Sequence, residues 1–151
     1  MRIEDLVRLD HRELDELYAA ERALLVPRGV YRGWHLCWVP RRDDAPRWID
    51  PVLTVGFRWM PFGIDFDRGS WFFGHTAIAL GRFRMEEGAS RWRPGRTMRL
   101  HYDMSKLPRR VRAWLYDEVK PLEDGLCLGL GGLNVAGRGG ERFYFALTRR
   151  G

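Results

Sequence analysis

The residues most able to do chemistry are four histidines and a set of tryptophans that lie in strand-like runs. The histidines are too far apart in sequence for the short spacing that places two metal ligands on one helix face, so we expect no metal site and no cofactor. Histidines on distant strands can still meet inside a closed sheet, where an imidazole can act as an acid or a base. They are His11, His35, His75 and His101.

One strand-like run, residues 96–103, carries its charged side chains on a single face. The charged face carries Arg99, His101 and Asp103, and Leu100 lies on the opposite face. Since charged side chains are seldom fully buried, we expect this face to point to solvent. If it pointed inward, it would supply a polar strip whose charges must pair with one another or with a ligand. The strand register decides between the two arrangements, because a slip of one residue exchanges the faces.

The aromatic content exceeds what the core of a chain of this size needs. The 151 residues include 7 Trp, 8 Phe and 5 Tyr. Core packing accounts for part of these rings, and the remainder indicates a lined cavity or an interface. We expect several strands to contribute to one ligand cavity. The candidate ligand-binding residues are Trp34, Trp59, Trp71, His75, Arg99, His101 and Tyr144.

The sequence contains no recognisable catalytic motif. There is no Gly-x-Ser-x-Gly sequence, and the glycines at 129–132 lack the lysine of a phosphate-binding loop. Asp117 and Glu118 fall in a predicted helix, where adjacent side chains diverge by about 100° and cannot flank one bond. The sequence therefore favours binding over catalysis.

The elements that must position these residues are a helical start and a series of short strands. Residues 3–24 have helical spacing, with Asp10 and Glu13 as the capping pair of a helix that ends before Pro27. Further on, turn residues separate short runs with the alternation of strands. The predicted strands are 29–39, 52–60, one or two within 71–84, 96–103, 126–130 and 142–149. A turn is predicted at 86–90 and a short helix over 108–119, before the last two strands.

Six to eight short strands with few helices indicate a mainly β, antiparallel barrel. A strand-rich α+β sheet is the alternative. We expect a single domain over residues 1–151, with the N-terminal helix in 1–26 and the barrel in 29–149.

Several stretches resemble the small bacterial lipocalin-like proteins. Gly29-x-Tyr31-x-Gly33 is similar to their Gly-x-Trp-x-Gly signature, with Tyr in place of Trp. The later run is similar as well, with Tyr102-Asp103 ending a strand, Asp117-Glu118 ending a helix, and Leu126 to Gly129 ahead of an aromatic last strand. The resemblance implies a closed barrel with an apolar interior, and it implies no reaction.

The net charge of +6 comes mainly from arginine, since Lys106 and Lys120 are the only lysines. The arginines are spread along the chain without a long block, which favours a solvated basic surface over a nucleic-acid footprint. Cys37 and Cys127 lie in apolar runs, and the chain shows no secretory signal and no apolar run long enough to span a bilayer. These features predict reduced, buried cysteines and a cytoplasmic protein.

The combined prediction is a lipocalin-like barrel that binds a hydrophobic or aromatic small molecule in its interior. The first alternative is an enzyme on the same barrel, an isomerase or cyclase with His101 or His75 as the acid or base. The second alternative is a basic protein that binds single-stranded nucleic acid through aromatic residues and arginines. The oligomeric state is left open.

Overall fold

Two short helices open the chain, and antiparallel strands make up most of the remainder. The computed structural model describes residues 1–40, 51, 54–56, 60–74, 79–133 and 140–150. The helices are α1 (Ile3–Val7), α2 (His11–Ala19) and α3 (Arg109–Trp114). Within the described residues, nine strands form one sheet: β1 (Val30–Trp38), β2 (Phe62–Asp65), β3 (Ser70–Phe73), β4 (Ala79–Arg82), β5 (Arg84–Ala89), β6 (Arg96–His101), β7 (Leu115–Glu123), β8 (Leu126–Leu133) and β9 (Glu141–Arg149).

The sheet curls into a near-closed barrel. Its strand order is β4-β3-β2-β1-β9-β8-β7-β6-β5, and every pair of neighbours is antiparallel. The two outermost strands, β4 and β5, are consecutive in the chain and are separated by Phe83 alone. One bent segment therefore pairs with β3 at one edge and with β6 at the other. The prediction of a mainly β, antiparallel barrel is confirmed.

Aromatic rings fill the inner face of the barrel, and glycines make room for them. Phe143 and Phe145 on β9 lie opposite Gly131 and Gly129 on β8. A Cβ atom added at Gly129 would lie 2.1 Å from the ring of Phe145, and one at Gly131 would lie 2.4 Å from the ring of Phe143. Each ring therefore packs directly on the backbone of β8, at a position that excludes any side chain.

A β-bulge in β1 decides which aromatic residues enter the barrel. The pairing with β9 shifts between His35 and Cys37, so that Trp38 lies opposite Phe143. Without the bulge, Trp38 would share the face of Trp34, as strict alternation predicts. Instead Trp38 lies beside the ring of His35, with 4.8 Å between the ring centroids, and packs against the inner core.

The N-terminal helices cover the outer face of β8 and β9. Leu14 and Tyr18 of α2 are buried against the outward-facing leucines of β8, and Leu17 is partly buried there. Asp10 and Glu13 form the predicted capping box at the start of α2, each side chain accepting a hydrogen bond from the backbone N–H of the other. Helix α2 therefore packs against the outer wall of the barrel.

Several predicted boundaries are wrong. The short helix ends at Trp114, so Asp117 and Glu118 lie on strand β7, and three strands follow the helix instead of two. Residues 86–90, predicted as a turn, lie mostly in β5, and residues 54–56, inside a predicted strand, are helical. Asp, Glu and Lys have a low propensity for strands. In β7, the hydrogen bonds that these side chains form outweigh this low propensity.

Replacing Leu14 by Ala should lower the free energy of unfolding by about 2–4 kcal/mol, because it empties a fully buried site between α2 and the sheet. Leu17→Ala, one turn along the same helix but only partly buried, should cost less. Urea unfolding of both variants provides the measurement. Equal losses would contradict this packing of the helix.

Replacing Gly129 by Ala should cost about 1–3 kcal/mol of stability, because the new methyl group overlaps the buried ring of Phe145. Gly88→Ala on β5 is the matched control. There the atoms nearest to the new Cβ belong to the guanidinium of Arg99, the end of a flexible side chain that can move aside. Thermal unfolding should show a clear loss for Gly129→Ala and a small change for Gly88→Ala.

Candidate functional site

A chain of hydrogen bonds crosses the inner face of the barrel. The indole N–H of Trp71 on β3 donates to the hydroxyl oxygen of Tyr102, just after β6, and the Tyr102 hydroxyl donates to Oδ2 of Asp117 on β7. The backbone N–H of Gly132 also donates to this carboxylate. Burial raises the pKa of Asp117 to about 7 against the lowering effect of these hydrogen bonds. An acid that titrates near neutrality thus lies within an aromatic interior.

A cleft of about 410 Å³ opens at the rim of the barrel beside helix α3. It lies where β6 ends, β7 begins and β5 starts. Tyr102 and Leu115 also belong to the inner core, so the cleft adjoins the interior. The lining residues are Arg84, Arg91, His101, Tyr102, Asp103, Arg109, Arg112, Ala113, Leu115 and Tyr116.

The cleft is strongly basic. Four of its lining residues are arginines and one, Asp103, is an acid. Arg84 lies 3.2 Å from Glu86 and 4.0 Å from Asp103. Among the described residues, Arg112 forms no ion pair of this kind and instead donates hydrogen bonds to the backbone carbonyls of Asp103 and Ser105. The positive charge of the cleft is therefore only partly compensated by acids.

Two of the cleft arginines have neither a carboxylate nor a backbone carbonyl as a side-chain partner within the described residues. Arg109 is exposed at the start of α3. The guanidinium of Arg91 lies over the ring of Tyr116, 4.1 Å from the ring centroid. Both cations are available to an anion that enters the cleft.

His101 contributes little charge to the cleft. Its Nε2 lies 3.2 Å from Oε2 of Glu86. Burial and the nearby Arg84 nevertheless lower the pKa of His101 below its usual value, against the opposing effect of Glu86. The imidazole is therefore mainly neutral at neutral pH.

Glu118 holds two parts of the cleft in place from the outer face of β7. Its Oε1 accepts a hydrogen bond of 2.8 Å from the Tyr116 hydroxyl and one of 2.7 Å from the backbone N–H of Arg91. Its Oε2 accepts from Ser90 and, at 3.3 Å, from the hydroxyl of Tyr18 on α2. This buried carboxylate therefore orders Tyr116 and the Arg91 segment before any ligand arrives.

Those candidate residues that the structure describes lie on both faces of the sheet. Trp71 faces inward. Trp34 and Tyr144 pack in the outer cluster beneath the helices. Arg99 and His101 lie on the outer face of β6, opposite Glu118 and Tyr116, which confirms the expected outward orientation of that face. Trp59 and His75 lie outside the described residues.

Among the candidates that the structure describes, His101 is the one that also lines the cleft. Sequence reasoning missed Tyr102, Asp117 and the arginines. The alternation of Leu115, Asp117 and Val119 along one face was a signal for a strand, and it would have placed Asp117 inward. The run of arginines after Pro108 signalled a basic segment, but its approach to Arg84 and Arg91 depends on the folded chain.

Two further kinds of site, a metal centre and a membrane-spanning helix, are absent from the part of the chain that the structure describes. There, no group of three or more His, Cys, Asp or Glu side chains could hold a metal ion. No helix among the described residues is long and apolar enough to cross a bilayer.

The fold and this site define a near-closed antiparallel β-barrel with a basic cleft at its rim. No model of a known protein family matches the chain, and no curated protein matches it significantly. Among solved structures, a protein from Thermomonospora curvata is similar over 95% of this chain and 89% of its own, with a TM-score of 0.51 and 21% sequence identity. At that identity the similarity shows the fold alone.

Replacing Asp117 by Asn should make stability less dependent on pH. The pKa of Asp117 is about 7 in the folded state, and its ordinary value is 3.8. The protonated carboxyl therefore contributes its full stabilisation below about pH 4, and this stabilisation is lost as the pH rises through about 7. From about pH 5 to about pH 8, the wild type should therefore lose more stability than Asp117→Asn. Urea unfolding at both pH values measures this difference, and parallel losses would contradict the assignment.

Proposed function

We propose that this barrel binds a small organic anion that carries an apolar or aromatic group. The carboxylate or phosphate of the ligand contacts the cleft arginines, and its apolar part lies against Tyr102, Leu115 and Tyr116. The observation that carries the proposal is that one cleft of about 410 Å³ is lined both by four arginines and by two residues of the inner core. A volume of this size suits a small ligand.

Electrostatics supports an anionic ligand. Guanidinium groups bind carboxylate and phosphate through paired hydrogen bonds, and such bonds are roughly twice as strong as neutral ones. Arg91 and Arg109 have no competing carboxylate within the described residues, so an anion does not have to displace an existing ion pair. It also relieves repulsion among the clustered cations.

Ordering of the cleft supports affinity. The Glu118 carboxylate fixes the hydroxyl of Tyr116 and the backbone at Arg91. A ligand then loses less free energy in organising these groups on binding.

This proposal changes the place of the ligand expected from the sequence. The described inner positions near Gly129 and Gly131 are occupied by Phe145 and Phe143, so the apolar part of the ligand is placed at the mouth of the barrel. Kinship with lipocalin-like proteins and a cytoplasmic location are parts of the same proposal. The barrel topology and the two free cysteines, Cys37 and Cys127, support them.

Phenyl phosphate and phenylpyruvate are suitable probes, because each joins an aromatic ring to an anion. Binding can be followed by tryptophan fluorescence, since the ring of Trp92 lies 5.1 Å from that of Tyr116. Arg109→Gln and Arg91→Gln should each weaken binding about tenfold, which is about 1.4 kcal/mol. Arg96→Gln is the control, because Arg96 is exposed and pairs with Glu87 away from the cleft.

Absence of binding by both probes, or equal binding by the wild type and the Arg109 and Arg91 variants, would overturn the proposal. A single-stranded oligonucleotide tests the nucleic-acid alternative. Tighter binding of the oligonucleotide with a steep dependence on salt would favour that alternative instead.

A further inference from the structure

Tyr102 belongs to two parts of the structure at once. It lines the arginine cleft, and its hydroxyl is the middle member of the buried chain from Trp71 to Asp117. Leu115, one inner-face position before Asp117 on β7, lines the cleft as well. The inner wall of the cleft therefore continues, through one side chain, to the partly buried carboxylate of Asp117.

The hydrogen bonds of Tyr102 give its hydroxyl a defined direction. Its oxygen accepts from the indole of Trp71 and its proton is donated to Asp117. A phenolic oxygen has two lone pairs, so one acceptor position remains. Burial also raises the pKa of Tyr102 far above its usual value, which keeps the hydroxyl protonated.

Asp117 has the properties of a base. Its desolvated carboxylate has a pKa near neutrality, where a general base is most effective. The N–H of Gly132 and the hydroxyl of Tyr102 hold the carboxylate in place. The cleft arginines supply positive charge next to the same Tyr102 side chain.

We propose that Tyr102 and Asp117 form a proton-transfer site that removes a proton from a carbon acid whose anionic group is bound by the cleft arginines. The C–H bond of the ligand breaks and its proton moves to the Tyr102 oxygen. At the same time the Tyr102 proton moves to Oδ2 of Asp117. The negative charge passes from Asp117 to the ligand as an enolate, and the arginines stabilise it.

Return of the proton to another atom of the ligand completes a tautomerisation or isomerisation. The carbon that loses the proton and the atom that regains it both belong to the ligand, so no oxidant or further reactant takes part. In this scheme Tyr102 and Asp117 are catalytic residues, and Trp71 is a positioning residue that orients the phenol. The inference rests on the proposed binding of an organic anion.

Phenylpyruvate tests this chemistry, because it joins a carboxylate and a phenyl ring to an acidic C–H group next to a ketone. Exchange of that proton in D₂O can be followed by NMR. The wild type should accelerate exchange above the buffer rate. Asp117→Asn and Tyr102→Phe should each lower the protein-catalysed rate about 10²–10⁴-fold, as expected for loss of general-base catalysis.

Binding and exchange are measured on the same samples, which separates the two proposals. Asp117→Asn should still bind phenylpyruvate and lose exchange, whereas Arg109→Gln should bind it about tenfold more weakly. Asp15→Asn is the control for general destabilisation, since it removes an ion pair with Arg93 on the outer wall, away from the cleft. It should keep the wild-type exchange rate.

Bound phenylpyruvate with no exchange above buffer in the wild type would overturn the proton-transfer site and leave the binding function standing. Undiminished exchange in Asp117→Asn would overturn it too. If His101→Gln abolished exchange while Asp117→Asn kept it, the base would be His101. Failure of the wild type to bind either probe would instead count against the proposed function itself.

Discussion

The constraint on which the structure depends is the hydrogen bonding of two adjacent carboxylates on opposite faces of β7, the partly buried Asp117 and the fully buried Glu118. A buried carboxylate needs hydrogen-bond donors, because removal from water costs several kcal/mol per ion. Asp117 meets this need inside the barrel through Tyr102, which in turn joins Trp71 on β3. Glu118 meets it outside through Tyr18, Ser90, Tyr116 and the backbone of Arg91. One strand thereby ties the far wall of the barrel to the N-terminal helix.

The cleft forms where these two networks come together. Tyr102 belongs to the inner network and Tyr116 to the outer one, and both line the cleft. Its arginines come from the start of β5, the segment after β5 and helix α3, so none of these elements makes the site alone. A rim position also reconciles charge with burial, because the arginines stay solvated while the interior remains apolar.

Aromatic rings pack closely on three glycines of the inner wall of the barrel. Rings from β9 lie on the glycines of β8, and Phe62 lies in the same way on Gly33 of β1. Interior glycines could indicate a cavity in a barrel. Here each of these three positions is occupied by a neighbouring ring, so the glycines serve close packing.

Local physical rules determined part of this structure from the sequence alone. Alternation placed Arg99 and His101 together on the outer face of β6, and the spacing of Asp10 and Glu13 fixed the start of α2, because both patterns act within a few residues. Other features needed the folded chain. The bulge that turns Trp38 inward depends on pairing with β9, and the two acids of β7 depend on donors distant in sequence, Tyr102 for Asp117 and Tyr18 for Glu118. The cleft likewise joins residues from 84 to 116, which the pairing of β5, β6 and β7 and the placement of α3 bring together. Sequence specifies periodicity and caps, whereas long-range pairing decides which faces meet, since that choice rests on contacts that no local window contains.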